Sequence, residues 1–380
     1  VETVGGMISG IRVFAYRQNG VTDISSASKI ESMYRRAEMY GAPVIAFLDS
    51  SGTDVSQSLD CLAAYGRIFA AIETAKKSIP TIAVVEGKCV GSAALIPALS
   101  DFVVMVENKG SVLLCPPYTT GGIDAKAVSA EGFSAVVADT ADFFCSDDES
   151  LSLTIRNILS VIPANKSVAP PAGAYDDPER ELADNNPEVG AVIRAVADFG
   201  GFLEVKPNTA NEAVCGFIKI NCASVGVAGI RGSLTVAGIE KLTNHIEFCN
   251  AFSIPLVTFQ NIEENCPFSF MANEHASVLN AAAKLAAAYS RKNAPKISVT
   301  TGASFGTPAL FGSKPLGADI SFLWADGAYV TALSKEAIGK VIPQAATENE
   351  NFIDMIIPAL QTRKYIIAAL EFCRRGRGGM

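Results

Sequence analysis

The chain has 380 residues, a formal net charge of −8, 49% hydrophobic residues and 18% charged residues. The acidic balance argues against binding to a phosphate backbone, so no nucleic-acid partner is expected. The length exceeds one ordinary domain core, and the apolar content is sufficient for two buried cores and a subunit interface. We therefore expect a soluble oligomer built from two domains.

The sequence also bears on the compartment of the protein. Its apolar runs are short and interrupted by proline, glycine or charge, so no membrane span is predicted, and residues 1–10 lack the features of a secretory signal. Nine cysteines are scattered without CxxC spacing, which indicates buried thiols in a reducing cytoplasm. Neither of the two histidines has cysteine neighbours at ligand spacing, so no metal site is expected.

In chain order, the first half begins with a predicted helix and strand. Apolar residues recur at helical spacing over Ala27, Ile30, Tyr34, Ala37 and Tyr40. The stretch "APVIAFLDS" then predicts a buried strand that ends at Asp49. A further buried strand, residues 82–85, runs into a turn whose glycines, Gly87 and Gly91, stand four residues apart, and "SDFVVMV" predicts the strand that follows.

The second half repeats this series of elements. Its predicted helix has the apolar residues Ile239, Leu242, Ile246, Cys249 and Phe252. The strand "SIPLVTFQN" matches "APVIAFLDS" at an offset of 212 residues, since Pro255 aligns with Pro43 (255 − 43 = 212). The next strand and its glycine turn align at an offset of 215 (295 − 80 = 215), and the last strand at 218 (319 − 101 = 218). Because the offset changes only in predicted loops, the sequence indicates an internal duplication.

Each half is predicted to fold as strand, helix, strand, loop, helix, strand, glycine-rich turn and strand. Successive βα crossovers of this kind build a parallel sheet, so the predicted fold class is α/β, with two tandem domains related by duplication. The predicted domains are residues 1–165 and 191–380. Residues 166–190 between them are rich in proline and are predicted to form a linker.

The two glycine turns are the candidate functional features. Glycine at positions 91 and 306 permits a positive φ and lets a ligand approach the main chain. If a helix begins directly after Gly91 and Gly306, the amides of Ser92 and Thr307 point outward and can donate hydrogen bonds to a developing oxyanion. An equally supported interpretation is that these are structural turns inherited by duplication.

No conventional catalytic set of side chains is evident. His245 lies between core positions of a predicted helix, which is typical of a residue that flanks the core, and His275 is interpreted as a loop or helix-start residue, although it is the better candidate for a base. Asp49 begins the stretch "DSSGT", whose hydroxyl residues are also typical of a helix cap. No Ser-His-Asp arrangement, P-loop or HExxH motif is present. An enzyme with this sequence would therefore rely on main-chain stabilisation of an oxyanion.

Several longer stretches resemble a known family. The stretch "GAPVIAFLDSSGTDVSQ" is similar to the family pattern G-A-P-x-I-x-L-x-D-S-G-G-A-R-I-Q, and "IPTIAVVEGKCVGSAALIPALSDF" to I-P-Q-I-S-x-I-x-G-x-C-A-G-G-A-x-Y-x-P-A-L-x-D-F. The last helix, with Thr362 and Arg363, resembles the family's closing D-P-x-D-T-R helix. These motifs run in order from about Val4 to Leu370. On them, the chain resembles the biotin-dependent acyl-CoA carboxyltransferases, such as propionyl-CoA carboxylase β chains and the carboxyltransferase subunits of methylmalonyl-CoA and glutaconyl-CoA decarboxylases.

The resemblance implies a crotonase-like fold, the ClpP/crotonase ββα-superhelix, in each half, with the acyl-CoA thioester held by the first domain and biotin by the second. It places two oxyanion holes at Gly91 with Ser92, for the thioester enolate, and at Gly306 with Thr307, for the ureido oxygen of biotin. The residues that would surround the two ligands are Ser51, Gly52, Thr53, Cys89 and Val90 in the first half and Ser304, Phe305, Pro308 and Ala309 in the second.

The resemblance also implies cofactors and partners. No Met-Lys-Met biotinylation motif is present, so biotin would be attached to a separate carrier protein, with a coenzyme A thioester as the substrate. Members of the family form homodimers or trimers of dimers, with the active site across the dimer interface.

Several residues depart from the family pattern. Asp54 replaces an arginine after the first strand, and Ala309 replaces an aspartate that is associated with substrate choice. Phe305 precedes Gly306, where a bulky side chain would hinder close approach of a ligand. The family's glycine-rich G-F-L-P-G loop is "ENCPFSF" here, and the loop after Cys115 is shorter than in the family.

Two hypotheses of function follow. In the first, the chain is an active carboxyltransferase or decarboxylase subunit that moves a carboxyl group between a short acyl-CoA and biotin. In the alternative, it is a catalytically weakened paralogue that serves as a structural or assembly partner of an active carboxyltransferase. A crotonase-type enzyme that acts on acyl-CoA without biotin is a third interpretation, which the retention of both halves disfavours.

Overall fold

The computed structural model describes residues 1–114, 140–262, 266–269, 271–333 and 350–377. The chain divides into two compact units, Val1–Pro170 and Pro171–Met380. The boundary between the units falls inside the segment 166–190 that the sequence predicts as a linker.

From residue 171 onward, this segment packs against the second unit. Lys219 Nζ donates a hydrogen bond to the carbonyl of Pro171, and the amide of Leu182 donates to the carbonyl of Leu360 at 2.8 Å. Leu182 is only 5% exposed. Most of the predicted linker is therefore part of the packing of the second unit.

The first unit alternates strands and helices. Its strands are β1 (Glu2–Ile8), β2 (Ile11–Thr22), β3 (Val44–Thr53), β4 (Thr81–Val90), β5 (Phe102–Val106), β6 (Ser111–Leu113) and β7 (Phe143–Cys145), and its helices are α1 (Ile24–Tyr40), α2 (Ser58–Ala75), α3 (Leu95–Leu99) and α4 (Asp148–Val161). The sheet has the order β1-β2-β3-β4-β5-β7, and β6 pairs with the carboxyl end of β4. The β1–β2 hairpin is antiparallel and the other pairs are parallel, as expected for βα crossovers.

Helix α1 illustrates how local sequence sets these boundaries. Its N-cap Asp23 accepts a hydrogen bond from the Ser26 amide at 2.7 Å, and Gly41, in the left-handed region at φ 58°, ends the helix. The predicted apolar stripe is buried except at its last member, Tyr40, which is 57% exposed. The Tyr40 ring stacks on Phe14 instead, with 5.8 Å between the ring centroids.

The second unit has the same alternation. Its strands are β8 (Phe202–Val205), β9 (Ala213–Ile220), β10 (Ala223–Ile230), β11 (Leu256–Gln260), β12 (Lys296–Thr300), β13 (Ala303–Phe305), β14 (Ile320–Trp324), β15 (Tyr329–Thr331) and β16 (Met355–Ile357), and its helices are α5 (Val189–Val196), α6 (Val236–Ala251), α7 (His275–Ser290) and α8 (Thr362–Arg377). The sheet has the order β16-β14-β12-β11-β10-β9-β8, and β13 pairs separately with β15.

The strand registers recur in both units at the offset found in the sequence. Phe14 of β2 is opposite Val44 of β3, and Gly226 of β10 is opposite Leu256 of β11, so both members of the pair shift equally (226 − 14 = 256 − 44 = 212). The α/β class and the order of strands and helices predicted for each half are confirmed. The repeated registers are consistent with duplication.

A buried arginine holds the last helix of the second unit. The Arg363 guanidinium donates to Asp198 Oδ1 at 2.7 Å and to the carbonyl of Val196 at 2.6 Å. Beside it, Thr362 Oγ1 accepts from the Trp324 indole at 2.8 Å. Because Arg363 and Thr362 are fully buried within these contacts, the family-like Thr-Arg pair serves the packing of α8.

Most cysteines of the described chain are buried, as the sequence predicts. The buried ones are Cys61, Cys89, Cys145, Cys215, Cys249 and Cys373. Cys222 is partly exposed and Cys266 is exposed, so the prediction of a buried thiol is wrong for Cys266, which lies in a surface loop. Cys115 lies outside the described residues. In the part of the chain that the structure describes, no helix has the length and apolarity needed to cross a bilayer.

Candidate active site

The first glycine turn follows the carboxyl end of β4, a central strand of its sheet. Gly91 has φ 65°, a left-handed value that favours glycine, and a single turn of 3₁₀ helix, Gly91–Ala94, leads into the short helix α3. A Cβ built on Gly91 would meet no atom within 4 Å. The space beside Gly91 is therefore open to a ligand, and the neighbouring Ser92 is only partly buried.

Two side chains hold the first turn in place. Asp49 Oδ1 accepts a hydrogen bond from the Lys88 amide at 3.0 Å, and a Cβ on Gly87 would lie 2.2 Å from the same oxygen. Cys89 Sγ donates to the carbonyl of Ala93 at 3.1 Å, and burial raises the pKa of this thiol to about 12. Cys89 is therefore a neutral donor at physiological pH and not a nucleophile.

The stretch "DSSGT" lies at the end of β3 and does not cap a helix. The pairing of β3 with β2 skips Ser51, which forms a bulge and is exposed. Gly52 has φ 101°, and its amide donates to Ser50 Oγ at 3.2 Å. Asp54, in place of the family's arginine, accepts from the amide and hydroxyl of Ser56 at 3.0 and 2.6 Å. Asp54 thus shapes the turn that precedes α2.

A cluster of buried polar side chains adjoins this bulge. Gln18 Nε2 donates to Ser50 Oγ at 3.0 Å and also to Thr22 Oγ1, while the Tyr65 hydroxyl donates to Thr22 Oγ1 at 2.8 Å. All four side chains are at most 1% exposed. Burial raises the pKa of Tyr65, so its hydroxyl stays protonated and donates. The cluster holds Ser50, which in turn receives the Gly52 amide.

The second glycine turn has the same φ in a more crowded setting. Gly306 has φ 65° and ψ −155°, a combination that only glycine adopts readily, and a turn of 3₁₀ helix, Thr307–Leu310, follows it. The Gly306 amide donates to the carbonyl of Thr331 at 3.1 Å. A Cβ on Gly306 would lie 3.5 Å from Pro267 Cγ. The loop that replaces the family's glycine-rich segment therefore brings Pro267 next to the turn, and Thr307 remains exposed.

Polar side chains hold the second turn. Asn261 Oδ1 accepts from the Ala303 amide at 3.1 Å, in the role that an aspartate has in the first unit. Gln260 Nε2 donates to the carbonyl of Pro308 at 3.3 Å, and Ser304 Oγ donates to Gln260 Oε1 at 2.6 Å. The side chains of Asn261, Gln260 and Ser304 are at most 5% exposed, so they support the turn from the interior.

The predicted ligand residues fall into two groups by exposure. The buried ones are Gly52, Cys89, Val90, Ser304, Phe305, Pro308 and Ala309. The exposed or partly exposed ones are Ser51, Thr53, Gly91, Ser92, Gly306 and Thr307. Phe305 is 4% exposed, so its ring is packed inside the second unit. A ligand at either turn would therefore meet main-chain groups and small hydroxyl residues before any of the buried side chains.

The two histidines have contrasting environments. His245 is buried on α6 against Phe217, with 4.9 Å between the ring centroids, and its Nε2 lies 3.8 Å from Cys249 Sγ. Burial, assisted by the charge of Lys241, lowers the pKa of His245 to about 3. His245 is therefore a neutral core residue, more deeply placed than the flank residue expected from the sequence. His275 is exposed and is the first residue of α7, as expected.

Three contributors to the turns were missed by sequence reasoning: Pro267, Gln260 and the cluster around Gln18. Contact between Pro267 and Gly306 depends on the path of a loop, which no local pattern indicates. Gln260 carried a usable signal, because it stands in the predicted apolar strand "SIPLVTFQN", where a buried amide needs hydrogen-bond partners.

Together, these features define the class of the protein. Two α/β units with one order of strands and helices, each with a glycine turn after a central parallel strand, are typical of a tandem crotonase-like protein. A family model described as "Carboxyl transferase domain" matches residues 1–350. The chain belongs to this carboxyl transferase family.

Individual relatives agree with this assignment. The chain is 30% identical to the methylmalonyl-CoA decarboxylase subunit alpha of Veillonella parvula, with 97% of this chain and 81% of that protein covered. It is 28% identical to the methylmalonyl-CoA carboxyltransferase 12S subunit of Propionibacterium freudenreichii subsp. shermanii, with 98% and 80% covered.

A solved structure confirms the crotonase-like fold. The crystal structure of transcarboxylase 12S, described as a hexamer with hydrolysed methylmalonyl-coenzyme A bound, is similar with a TM-score of 0.89 and 25% identity. The similarity covers 98% of this chain and 82% of that one.

Proposed function

We propose that the chain is a carboxyltransferase subunit that moves a carboxyl group between a short acyl-CoA and biotin on a separate carrier protein. The observation that carries the proposal is the repeated turn in a member of the carboxyl transferase family: Gly91 and Gly306 both have φ 65° directly after a strand. The names of the relatives, which act on methylmalonyl-CoA, support a short acyl-CoA as the substrate.

The proposal gives each unit one ligand. The first unit, corresponding to the predicted domain 1–165, holds the thioester, and the amides of Gly91 and Ser92 stabilise negative charge on the thioester oxygen. The open space beside Gly91 fits this role. The second unit, corresponding to residues 191–380, holds biotin, which supplies the ureido nitrogen that accepts the carboxyl group. There the amide of the exposed Thr307 faces the charge on the ureido oxygen, and Gly306, whose own amide donates to the carbonyl of Thr331, provides the positive-φ turn before it.

A second candidate, a weakened paralogue that acts as an assembly partner, is favoured by the setting of the second turn. The Gly306 amide already donates to the carbonyl of Thr331, and Pro267 stands next to Gly306. Both features reduce the access of a ligand to this turn. They leave the first turn unaffected, so this candidate predicts binding of acyl-CoA without transfer to biotin.

A matched pair of variants tests the proposed role of the first turn. Ser92→Pro removes the amide N–H, whereas Ser92→Ala keeps it. With methylmalonyl-CoA or malonyl-CoA and free biotin, the wild-type chain and Ser92→Ala are expected to remove the carboxyl group from the acyl-CoA. Ser92→Pro is expected to be about 10²–10³-fold slower. Liquid chromatography of the CoA esters measures the rates.

The outcomes separate the two candidates. Equal rates for Ser92→Pro and Ser92→Ala would contradict the role of the amide. No turnover by the wild-type chain, together with a rise in its melting temperature on addition of acyl-CoA and co-purification with another carboxyltransferase, would favour the weakened paralogue.

The proposal includes the oligomeric state of the chain and its compartment. A homodimer or trimer of dimers is supported by the hexamer described for the similar transcarboxylase 12S, and light scattering of the purified chain tests it. A cytoplasmic location stays a prediction from the pattern of cysteines.

A further inference from the structure

The first unit contains a group of buried polar side chains that the second unit does not repeat at the corresponding positions. Its members, which we call the polar cluster, are Gln18, Thr22, Ser50 and Tyr65, and all are at most 1% exposed. They are joined to one another by hydrogen bonds through the Gln18 amide and the Tyr65 hydroxyl. Among the described residues, Gln18 Oε1 has no hydrogen-bond partner. Burial of this oxygen lowers the stability of the fold, so the cluster needs an explanation other than stability.

The second unit has apolar side chains at three of these positions. The offset of 212 residues (230 − 18 = 212, and likewise for the others) takes Gln18, Thr22 and Ser50 to Ile230, Leu234 and Ile262. These three apolar residues are at most 1% exposed. Because the strands there have the same register in both units, apolar residues are sufficient to fold this part of the sheet. The polar cluster is therefore a special feature of the first unit.

A buried glutamine stands on a different strand in each unit. In the first unit, Gln18 of β2 is opposite Leu48 of β3. In the second unit, Ile230 of β10 is opposite Gln260 of β11. The amide of Gln260 donates to main-chain carbonyls of the second glycine turn and so supports a candidate ligand site. The exchange of strands directs the amide of Gln18 to a different part of its own unit, the end of β3.

The polar cluster holds both sides of the bulge at Ser51. Before the bulge, Ser50 Oγ accepts a hydrogen bond from the Gly52 amide at 3.2 Å, and Gly52 has φ 101°. After the bulge, Thr22 is opposite Thr53 in the pairing of β2 with β3. Since Ser50 and Thr22 both accept from the same glutamine amide, one set of hydrogen bonds spans the shift in register and fixes the path of residues 51–53.

The bulge lies beside the first glycine turn. In the pairing of β3 with β4, Ser50 is opposite Cys89, which stands two residues before Gly91. Ser51 is exposed, Thr53 is partly exposed, and Gly91 adjoins open space. Because β3 and β4 are parallel neighbours, their carboxyl ends meet at the same edge of the sheet. A ligand held at Gly91 would therefore lie next to the hydroxyl residues of the bulge.

We propose that the polar cluster positions residues 51–53 for the acyl end of an acyl-CoA, with Gln18 as the central positioning residue. This inference rests on the proposed function, which assigns the thioester to the first unit and biotin to the second. The Gln18 amide fixes Ser50 Oγ, and Ser50 fixes the Gly52 amide. The bulge then presents its hydroxyl residues to the acyl group. The unpaired oxygen of Gln18 lowers stability and is retained because the cluster serves ligand binding.

Replacement of the whole cluster by apolar residues of similar shape separates function from stability. The variant combines Gln18→Met, Thr22→Val, Ser50→Ala and Tyr65→Phe. Because no member of the cluster keeps a polar group without its partner, the midpoint of urea unfolding is expected to equal or exceed that of the wild-type chain. The kcat/KM for methylmalonyl-CoA is expected to fall about tenfold or more, while the KM for free biotin stays the same. A lower midpoint with unchanged kinetics would overturn the proposal.

Single substitutions test the order of the contacts. Ser50→Ala removes the acceptor of the Gly52 amide and is expected to lower kcat/KM for methylmalonyl-CoA about tenfold. Tyr65→Phe leaves that hydrogen bond in place and is expected to lower it by a smaller factor. Ser321→Ala is the matched control, because the Ser321 hydroxyl is also buried without a partner among the described residues but lies on β14 of the second unit. Equal kinetics of Ser50→Ala and Ser321→Ala would overturn the proposal.

Binding measurements separate this inference from the proposed function. Isothermal titration with methylmalonyl-CoA needs no turnover, so it tests the cluster in an inactive chain as well. Binding without turnover by the wild-type chain would contradict the proposed function, and about tenfold weaker binding by Ser50→Ala would still support the positioning role. Equal affinity of Ser50→Ala and the wild-type chain would overturn the positioning role and leave the proposed function intact. Absence of binding by the wild-type chain would overturn both.

Discussion

The two glycine turns have the same φ and are supported by different side chains. The first adjoins open space at Gly91 and is held from within by the thiol of Cys89. The second has Pro267 beside Gly306 and is held by the amide of Gln260. The two units therefore share the main-chain conformation of the turn, although the side chains that support it and the space beside the glycine differ between them.

The largest expected effect is that of a Cβ at the second turn. Gly306→Ala forces the backbone out of a region that only glycine adopts readily, and it places a methyl group 3.5 Å from Pro267 Cγ. We expect biotin-dependent turnover to fall about 10²–10³-fold, the usual effect of displacing an oxyanion donor. Gly91→Ala, with open space around the new Cβ, is expected to lose only about tenfold.

Steady-state kinetics with free biotin and methylmalonyl-CoA measure both losses. Gly10→Ala is the matched control, because Gly10 also has a positive φ, 81°, and open space around it. Its turnover should equal that of the wild-type chain. If Gly91→Ala and Gly306→Ala lose the same activity, crowding at the second turn has no functional consequence.

The next largest effect, on folding stability, is expected at Asp101, whose carboxylate is hydrogen-bonded to the first residue of β4 and directly precedes β5. Asp101 Oδ2 accepts from the amide and hydroxyl of Thr81 at 2.8 Å, and in the second unit Asp319 accepts from the Lys296 amide at the same distance. Burial raises the pKa of Asp101 from 3.8 to about 6, although Lys76 and Thr81 oppose the shift.

The sign of the pH dependence follows from this raised pKa. Between about pH 4 and pH 6 the carboxyl group of Asp101 is protonated in the folded chain and ionised in the unfolded chain. The contribution of Asp101 to the free energy of unfolding is therefore greatest below pH 4 and is lost as the pH rises through 6. The full difference is about 3 kcal/mol. Urea unfolding of wild type and Asp101→Asn, which keeps an acceptor oxygen, should show this dependence in the wild type alone. Parallel curves would contradict the assignment.

How much of these turns the sequence predicted depends on how far apart in the chain the interacting residues are. Periodicity predicted α1 and α6 because it depends on residues that are near each other in the chain. The repeated offset aligned Gly91 with Gly306 because the sequence pattern of the first half recurs in the second. The same reasoning treated Phe305 as an obstacle to the ligand, yet its ring is buried. Whether a strand residue faces the core or the ligand depends on the sheet around it, and a single strand's sequence does not contain that information.

The covering of the second turn was harder to predict for the same reason. The sequence showed that "ENCPFSF" departs from the family's glycine-rich loop, but not that Pro267 would lie beside Gly306. Residues more than 30 positions apart meet there through two loops, and their contact follows from the paths of both. The amide of Gly306 was likewise expected to face a ligand, whereas it donates to the carbonyl of Thr331.

A smaller effect is expected from the buried support of the second turn. Gln260→Leu removes the side chain that donates to the carbonyl of Phe311 and accepts from the hydroxyl of Ser304, whereas the carbonyl of Pro308 keeps the Phe311 amide. Buried groups that lose their partner cost about 1–3 kcal/mol of folding free energy. Urea unfolding measures the loss. Adding Ser304→Ala to Gln260→Leu should cost little more, since the partner of Ser304 is already absent, and full additivity would argue against the network.

The smallest effect is expected at the corresponding support of the first turn. Cys89→Val removes the S–H that donates to the carbonyl of Ala93, but sulfur is a weak donor and valine fills similar space, so the loss should be below about 1 kcal/mol. The free energy of unfolding should therefore fall less than in Gln260→Leu. An equal loss would mean that the thiol of Cys89 stabilises the first turn as much as the amide of Gln260 stabilises the second. The two turns would then differ only in their access to ligands, because a thiol in one unit and an amide in the other would contribute equally to the free energy of unfolding.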